Sequence, residues 1–308
     1  MEILVQFLLL AVGFVMLGKG ADWFVEGAAA LATRFGIPQL VVGLTIVAMG
    51  TSAPEAAVSI AAAMHGSADI TIGNIVGSNI MNILVILGLA AAIVPLAVAR
   101  STVRIEMPFM LAITGILFYE GLDGKISFAD GLVLLAAFVL YMAYLYKMAM
   151  KSNADDDLQE AGLPLGRCLL GAAGGLVLII WGSNVTVDAA TAIAQYAGLS
   201  ERFIGLTIVA LGTSLPELFT SVTAARRGNA DIAIGNIVGS NIFNILFVVG
   251  LSSMIIDIPY AAAFNFDTCV ALGAALLLWL CVLRTEKLAR WCGVLMLACY
   301  AAYLGYIL

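Results

Sequence analysis

Charge is scarce in this chain. Of 308 residues, 14 are Lys or Arg and 20 are Asp or Glu, together 11%, where a soluble domain carries about a quarter. So few charges exclude a solvated surface over most of the molecule. No basic stripe with interleaved aromatics occurs, which excludes nucleic acid as a partner. Histidine is nearly absent too. The single His65 cannot serve a Ser–His dyad at the core, and there is no HExxH sequence, so no enzyme activity and no bound cofactor are expected. The five cysteines (Cys168, Cys269, Cys281, Cys292, Cys299) show no CxxC spacing and lie in or beside apolar runs, where they read as small core hydrophobes. The stretch Met1 to Leu17 carries Glu2 in place of positive charge, with no small-residue cleavage site after it; it reads as a first membrane helix and not as a leader.

What fills the chain instead is apolar: 63% of residues are hydrophobic. About 20 such residues in a row span the hydrocarbon core as a helix. Polar, Gly and Pro punctuation divides the chain into ten candidate spans, roughly 3–33, 38–64, 70–95, 102–120, 129–148, 165–196, 203–225, 232–256, 264–284 and 288–307. The fold class expected is therefore an all-α polytopic membrane protein in the lipid bilayer. The one clearly polar linker, 151–164, contains Asp155-Asp156-Asp157 and reads as a solvated loop joining the halves 1–150 and 165–308. Sorted by alternate loops, Arg34, Arg100, Arg104, Lys147, Lys151, Arg167, Arg226, Arg227, Arg284, Lys287 and Arg290 fall on one side, against Lys125 and Arg202 on the other. Short loops rich in Lys and Arg stay in the cytoplasm, so both termini are expected outside (extracellular or periplasmic) and the linker inside.

The chain also repeats itself. Gly43–Gly88 (GLTIVAMGTSAPEAAVSIAAAMHGSADITIGNIVGSNIMNILVILG) matches Gly205–Gly250 (GLTIVALGTSLPELFTSVTAARRGNADIAIGNIVGSNIFNILFVVG) at about 31 of 46 positions, 162 residues apart. Five helices per half is an odd number, so the second copy enters the membrane from the opposite side. Such inverted repeats are a transporter architecture, with the substrate site near the midplane where the repeats meet.

The repeat keeps polar residues where lipid-facing helices would have none. In Gly50-Thr51-Ser52-Ala53-Pro54-Glu55, Pro54 has no N–H for the Gly50 carbonyl, and its ring clashes there. Pro216 does the same to Gly212 in Gly212-Thr213-Ser214-Leu215-Pro216-Glu217. A helix broken at membrane depth is tolerated only where it is buried in protein or lines a cavity, and its freed carbonyls become candidate ligands. Glu55 and Glu217 are intramembrane carboxylates with no Lys or Arg nearby in their helices; the default reading of such a residue is functional. Ala48, Thr51, Ser52 and Glu55 share one helical face, as do Ala210, Thr213, Ser214 and Glu217. Ser78 with Asn82, and Ser240 with Asn244, add hydroxyls and amides. Every donor is oxygen, which suits hard cations such as Ca²⁺ with its 6–8 oxygen ligands and argues against zinc or copper. The same oxygens can be shared out among Na⁺ ions, and competition for shared ligands is a physical basis for exchange.

The blocks GTSAPE with GNIVGSNIMN and GTSLPE with GNIVGSNIFN resemble the alpha-repeats of the sodium/calcium exchanger family, and more closely its short prokaryotic branch. The resemblance implies that Glu55 and Glu217 are central ligands for both ions, with backbone carbonyls of Thr51 and Thr213 in the calcium site. It implies sodium sites that use Ala48, Ser52 and Ser78 with Ala210, Ser214 and Ser240. The remaining central pair maps to Asn82 and Asn244; potassium-dependent relatives carry an aspartate on one side, so two amides imply no obligate potassium. It further implies alternating access, with the first and sixth helices sliding over a rigid core.

The function expected is a secondary antiporter that lets Na⁺ in and drives Ca²⁺ out, working as a monomer in the cell (inner) membrane. An H⁺/Ca²⁺ antiporter is the alternative, although the Gly-Asn-Ala-x-Glu block typical of proton-coupled cousins is absent. A channel is a different class with similar residues. Around the site, Lys19, Asp22 and Glu26 are expected to pair among themselves or to snorkel near a helix end, a gate on the ion path being the sharper reading. Asp69 and Asp231 are expected to cap helices. Asn74, Asn79, Asn236 and Asn241 are expected to satisfy broken backbone.

Overall fold

The computed structural model describes residues 2–66, 68–152, 164–198 and 210–307. Helices make up nearly all of it. In chain order, α1 is Glu2–Arg34, and α2 (Gln39–Thr51) meets α3 (Ala53–Met64) at a 50° bend. Helix α4 starts at Asp69 and continues through a π-helical stretch, Asn82–Leu87, to Ile93; α5 joins a π-helical turn, Thr102–Glu106, to Met107–Glu120. Then come α6 (Phe128–Ser152), α7 (Leu165–Tyr196), α8 (Ala210–Thr213) and α9 (Leu215–Arg226). Helix α10 runs from Ala230 through a second π-helical stretch, Asn244–Val249, to Ile255, followed by α11 (Phe264–Val282) and α12 (Arg290–Ile307).

Among the described residues, eight helices are long and apolar enough to cross a bilayer, and the bent pair α2–α3 makes a ninth. The remaining expected span, 203–225, starts on residues outside the described set; its described part is α8 and α9. Most of the linker 151–164, and Arg202, also lie outside the described residues.

Two central helices carry the fold. The hydropathic windows of α4 and α10 are 78% and 94% buried, against 17% in α1. Buried Ile72, Ile75, Ile80 and Ile83 of α4 and Ile232, Ile237, Ile242 and Leu246 of α10 belong to one core cluster. Gly235 and Gly239 allow α10 to reach α2: a Cβ on Gly239 would lie 2.7 Å from the Leu44 carbonyl oxygen. Without a hydrophobic drive between helices in lipid, such close backbone contact is a main source of helix association.

Helices α1 and α7 form a separate pair. Gly13, Gly20 and Gly27, seven apart, face Gly182, Gly175 and Gly171 so closely that a Cβ on Gly20 would sit 2.9 Å from the Gly175 carbonyl oxygen. The outer face of α1 exposes Leu4, Val5, Leu8, Val12 and Val15, as a lipid-facing helix should.

Two short antiparallel pairings tie loops together. Strand β1 (Leu96–Ala97), after α4, pairs with β4 (Lys287–Leu288), between α11 and α12. Strand β2 (Lys125–Ile126), between α5 and α6, pairs with β3 (Ile258–Pro259), between α10 and α11. The capping expectation is corrected: the N-cap positions of α4 and α10 are Ala68 and Asn229, neither with a side-chain cap hydrogen bond. Asp69 is instead the first residue of α4, and Asp231 falls within the first turn of α10, where negative charge suits the helix dipole.

Candidate ion-binding site

Both prolines break their helices where the sequence places the break. Ser52 (φ −82, ψ 7) ends α2 and Ser214 (φ −90, ψ 3) ends α8, each two residues before the proline. Each break brings a glutamate to the first turn of the next helix, Glu55 in α3 and Glu217 in α9. Neither side chain sees lipid: Glu55 is 1% exposed and Glu217 0%.

The two breaks face each other. Ser52 Oγ donates to Glu217 Oε1 at 2.8 Å, and the Ser214 and Thr213 hydroxyls lie against the Glu55 carboxylate. The carboxylates are close enough for their charges to act on one another. Thr51 Oγ1 donates to Asn236 Oδ1 at 3.0 Å, and Ser240 Oγ donates to the Ala48 carbonyl at 3.3 Å. The predicted residues are therefore grouped across the halves: Ser52 with Glu217, Ala48 with Ser240. Ser78 is buried in α4. Ala210 is described only as the first residue of α8.

The asparagines build the floor. Asn79 Nδ2 donates to the Asn241 carbonyl at 3.2 Å, and Asn241 Nδ2 donates to the Asn79 carbonyl at 3.1 Å. Asn82 Nδ2 donates to Asn241 Oδ1 at 3.0 Å, and Asn244 Nδ2 to Asn79 Oδ1 at 3.1 Å. Asn74 donates to Ser59 Oγ and to the Glu55 carbonyl, while Asn236 donates to Ser221 Oγ. Asn74, Asn79 and Asn241 thus satisfy backbone as expected, and Asn236 binds side chains. Both Asn82 and Asn244 open π-helical stretches, a local widening that recurs at functional sites.

Buried oxygens of several kinds stay unsatisfied here, the Ser214 hydroxyl among them. Glu55 Oε2, Glu217 Oε2, Asn82 Oδ1 and Asn244 Oδ1 are buried with no hydrogen-bond partner. A buried, unpaired carboxylate oxygen costs several kcal/mol or more, and none of the ion pairs between described residues reaches either glutamate. Two carboxylate and two amide oxygens left open at equivalent positions form a donor set for a hard cation. No group of three or more His, Cys, Asp or Glu side chains is placed to hold a metal ion among the described residues, so any further oxygens around the two glutamates are those of hydroxyl, amide and carbonyl groups.

Two expectations need correction. The Gly212 carbonyl, freed by Pro216, is not aimed into the site; Ser183 Oγ of α7 donates to it at 2.7 Å. The equivalent position in α1 is Ala21, so the two breaks are not alike. Asp22 and Glu26 do not pair with Lys19. Arg227 takes both, at 2.9 Å to Asp22 Oδ1 and 3.1 Å to Glu26 Oε2, because it lies just past the end of α9 beside α1. Lys19 and Asp22 instead line a cavity of about 690 Å³ between α1 and α9, with Arg226 and Arg227. The cross-element ion pair had no signal in the sequence, since its partners lie about 200 positions apart.

A mainly helical membrane protein that buries two neighbouring carboxylates without a counter-charge, and two open amide oxygens on its central helices, has the build of a membrane cation transporter. The family model "Sodium/calcium exchanger protein" matches residues 5–147 and 168–308, and the chain belongs to that family. It is 38% identical to the inner membrane protein YrbG of Escherichia coli (strain K12), over 97% of this chain and 95% of that one. It is 40% identical to the putative antiporter CaxA of Alkalimonas amylolytica (98% of each) and 33% identical to the sodium/calcium exchanger MaX1 of Methanosarcina acetivorans (98% of each). Among solved structures, that of the sodium-calcium exchanger NCX_Mj soaked without Na⁺ and Ca²⁺ matches with a TM-score of 0.87 at 33% identity, covering 99% of this chain and 100% of that one.

Proposed function

We propose that this antiporter exchanges Na⁺ for Ca²⁺ by alternating access at one central site, and extrudes Ca²⁺. The observation that carries the reading is the set of four buried, unpartnered oxygens on Glu55, Glu217, Asn82 and Asn244. In this reading the two glutamates neutralise one Ca²⁺, with the backbone carbonyls of Thr51 and Thr213 completing its shell. Na⁺ ions take flanking positions built from Ala48, Ser52 and Ser78 and from Ala210, Ser214 and Ser240. The observed contacts support pairings across the halves, Ser52 with Glu217 and Ala48 with Ser240.

We assign two inverted five-helix halves, 1–150 and 165–308, joined by the linker 151–164. Reciprocal bonds support this. Asn79 binds Asn241 as Asn241 binds Asn79, and Asn82 and Asn244 cross in the same way, which is the self-complementary pattern of a two-fold axis. Parity supports ten spans. Strand β1 pairs with β4, so an even number of crossings must separate them, yet five long helices (α5, α6, α7, α10, α11) lie between. The same count between β2 and β3 gives three, α6, α7 and α10. One further crossing between α7 and α10 makes both even, and α8–α9 is its described part. With the Lys and Arg bias, both termini lie outside and the linker inside, in an inner membrane. The protein works as a monomer.

The glycine-lined pair α1–α7, whose backbones meet closely and whose outer face is exposed, is the element we assign to sliding. If more positive charge enters as Na⁺ than leaves as Ca²⁺, the membrane potential adds about 2.3 kcal/mol per net charge per 100 mV. The test is ⁴⁵Ca²⁺ uptake into proteoliposomes loaded with Na⁺, compared with liposomes that carry only a pH gradient. Uptake is expected in the first alone. Uptake driven by the pH gradient alone replaces Na⁺ with H⁺ in this reading.

A further inference from the structure

A second intramembrane carboxyl lies outside the central site. Glu106, at the end of the π-helical turn that opens α5, is 0% exposed. Tyr144 of α6 donates its hydroxyl to Glu106 Oε1. The other carboxyl oxygen, Oε2, and Tyr141 Oη of α6 have no hydrogen-bond partner, and the Thr102 hydroxyl, one turn earlier on the same face, lies against the Glu106 carboxyl without a well-formed hydrogen bond. Thr102 is 0% exposed and Tyr141 6%.

No protein cation neutralises this carboxyl. The basic residues nearest it in sequence on α5 and α6, Arg104, Lys147 and Lys151, are all exposed, and no ion pair between described residues includes Glu106. From α6 the ionisable groups that face it are Tyr141 and Tyr144. From α11 the Trp279 indole donates to the neighbouring Val103 carbonyl, and no charged side chain of α10 or α11 joins the cluster. An unneutralised carboxylate buried this completely costs several kcal/mol or more. Three unpartnered oxygens from two helices, one of them a carboxyl oxygen, make a donor set for a small, hard, singly charged cation.

We propose that Glu106, Thr102, Tyr141 and Tyr144 form a second monovalent-cation site, distinct from the transport site and taking one positive charge as Na⁺ or as a proton. The bound charge ties the start of α5 to α6, and both helices pack against the central α10. Occupancy therefore sets the rigidity of the wall beside the transport site without the ion being carried.

The test uses the full-length protein with Glu55→Gln and Glu217→Gln, which silences the central site. Its melting temperature is followed against NaCl at constant ionic strength with choline chloride, and separately against pH without Na⁺. Sodium occupancy gives a Na⁺-dependent rise that persists in this background and is lost when Glu106→Gln is added. Proton occupancy gives no Na⁺ response, but a pH response that Glu106→Gln removes. If neither titration separates the triple variant from its background, the proposal is wrong. Should Glu106→Gln fail to fold, the near-isosteric Thr102→Val and Tyr141→Phe take its place, each expected to shift the titration midpoint by about tenfold or more, the loss of one charge-assisted contact. Unmoved midpoints in both overturn the proposal equally. Failure here leaves the reading of the central site untouched, because its two carboxylates are removed in every arm and the arms differ only at the Glu106 cluster.

Discussion

At the scale of single residues, the chemistry rests on two carboxylates and the atoms left open around them. Replacing either with glutamine keeps the shape and removes the charge that would balance a divalent ion. Glu55→Gln and Glu217→Gln should each abolish Ca²⁺ transport in the proteoliposome assay. The melting temperature without ions should stay level or rise, since a buried charge without a partner is costly to keep. Wild-type uptake in either variant would remove that glutamate from the site. These residues were legible in the sequence because a glutamate after a proline in an apolar run has few structural explanations, and this chain has two of them. The orientation of Asn82 and Asn244 was not legible. Which end of each amide stays open depends on Asn79 and Asn241, which take the Nδ2 groups and leave both Oδ1 atoms without a partner. Nor was the hydroxyl of Ser183 on the Gly212 carbonyl, a bond that exists only because α7 passes the second break.

At the scale of elements, the glycine seam decides what moves with what. A Cβ on Gly175 would lie 2.5 Å from the Phe24 amide nitrogen, whereas one on Gly174 meets nothing within 4 Å. Gly175→Leu should force α7 away from α1 and destabilise the protein by about 1–3 kcal/mol, the range for overpacking. Gly174→Leu should be tolerated. Thermal melting and Na⁺-driven uptake measured on both variants check this, and equal behaviour of the pair would deny the seam its role. Helix boundaries were largely readable from apolar runs and their breaks: the expected 165–196 and 264–284 compare with Leu165–Tyr196 and Phe264–Val282. The π-helical stretches were not readable. A π-turn inserts one residue per turn without changing the run of apolar letters, so it leaves no period to detect. The pairing of Arg227 with Asp22 and Glu26 was hidden for another reason, since local spacing on α1 pointed to Lys19 and only packing brought Arg227 closer.

At the scale of the whole molecule, sidedness is the open quantity and a simple labelling experiment reads it. With the five cysteines replaced, a single cysteine at Lys125 should react with a membrane-impermeant maleimide from outside intact cells. One at Lys287 should react only after the inner face is exposed. Reversed labelling would invert the orientation, and labelling of both from one side would break the count of ten. The sequence by itself determined the membrane class, the duplicated polar blocks, the family resemblance and the two acids, because hydropathy, identity between repeats and the conformational rules of proline are properties of neighbouring residues. Only the tertiary structure decided which buried oxygens are left without a hydrogen-bond partner, which carbonyl is already taken, which charges pair across α1 and α9, and that Glu106 is sealed in with unpartnered hydroxyls. Those outcomes depend on which groups come within about 3 Å of one another, and that distance is set by packing between segments about 30 to 200 residues apart in the chain.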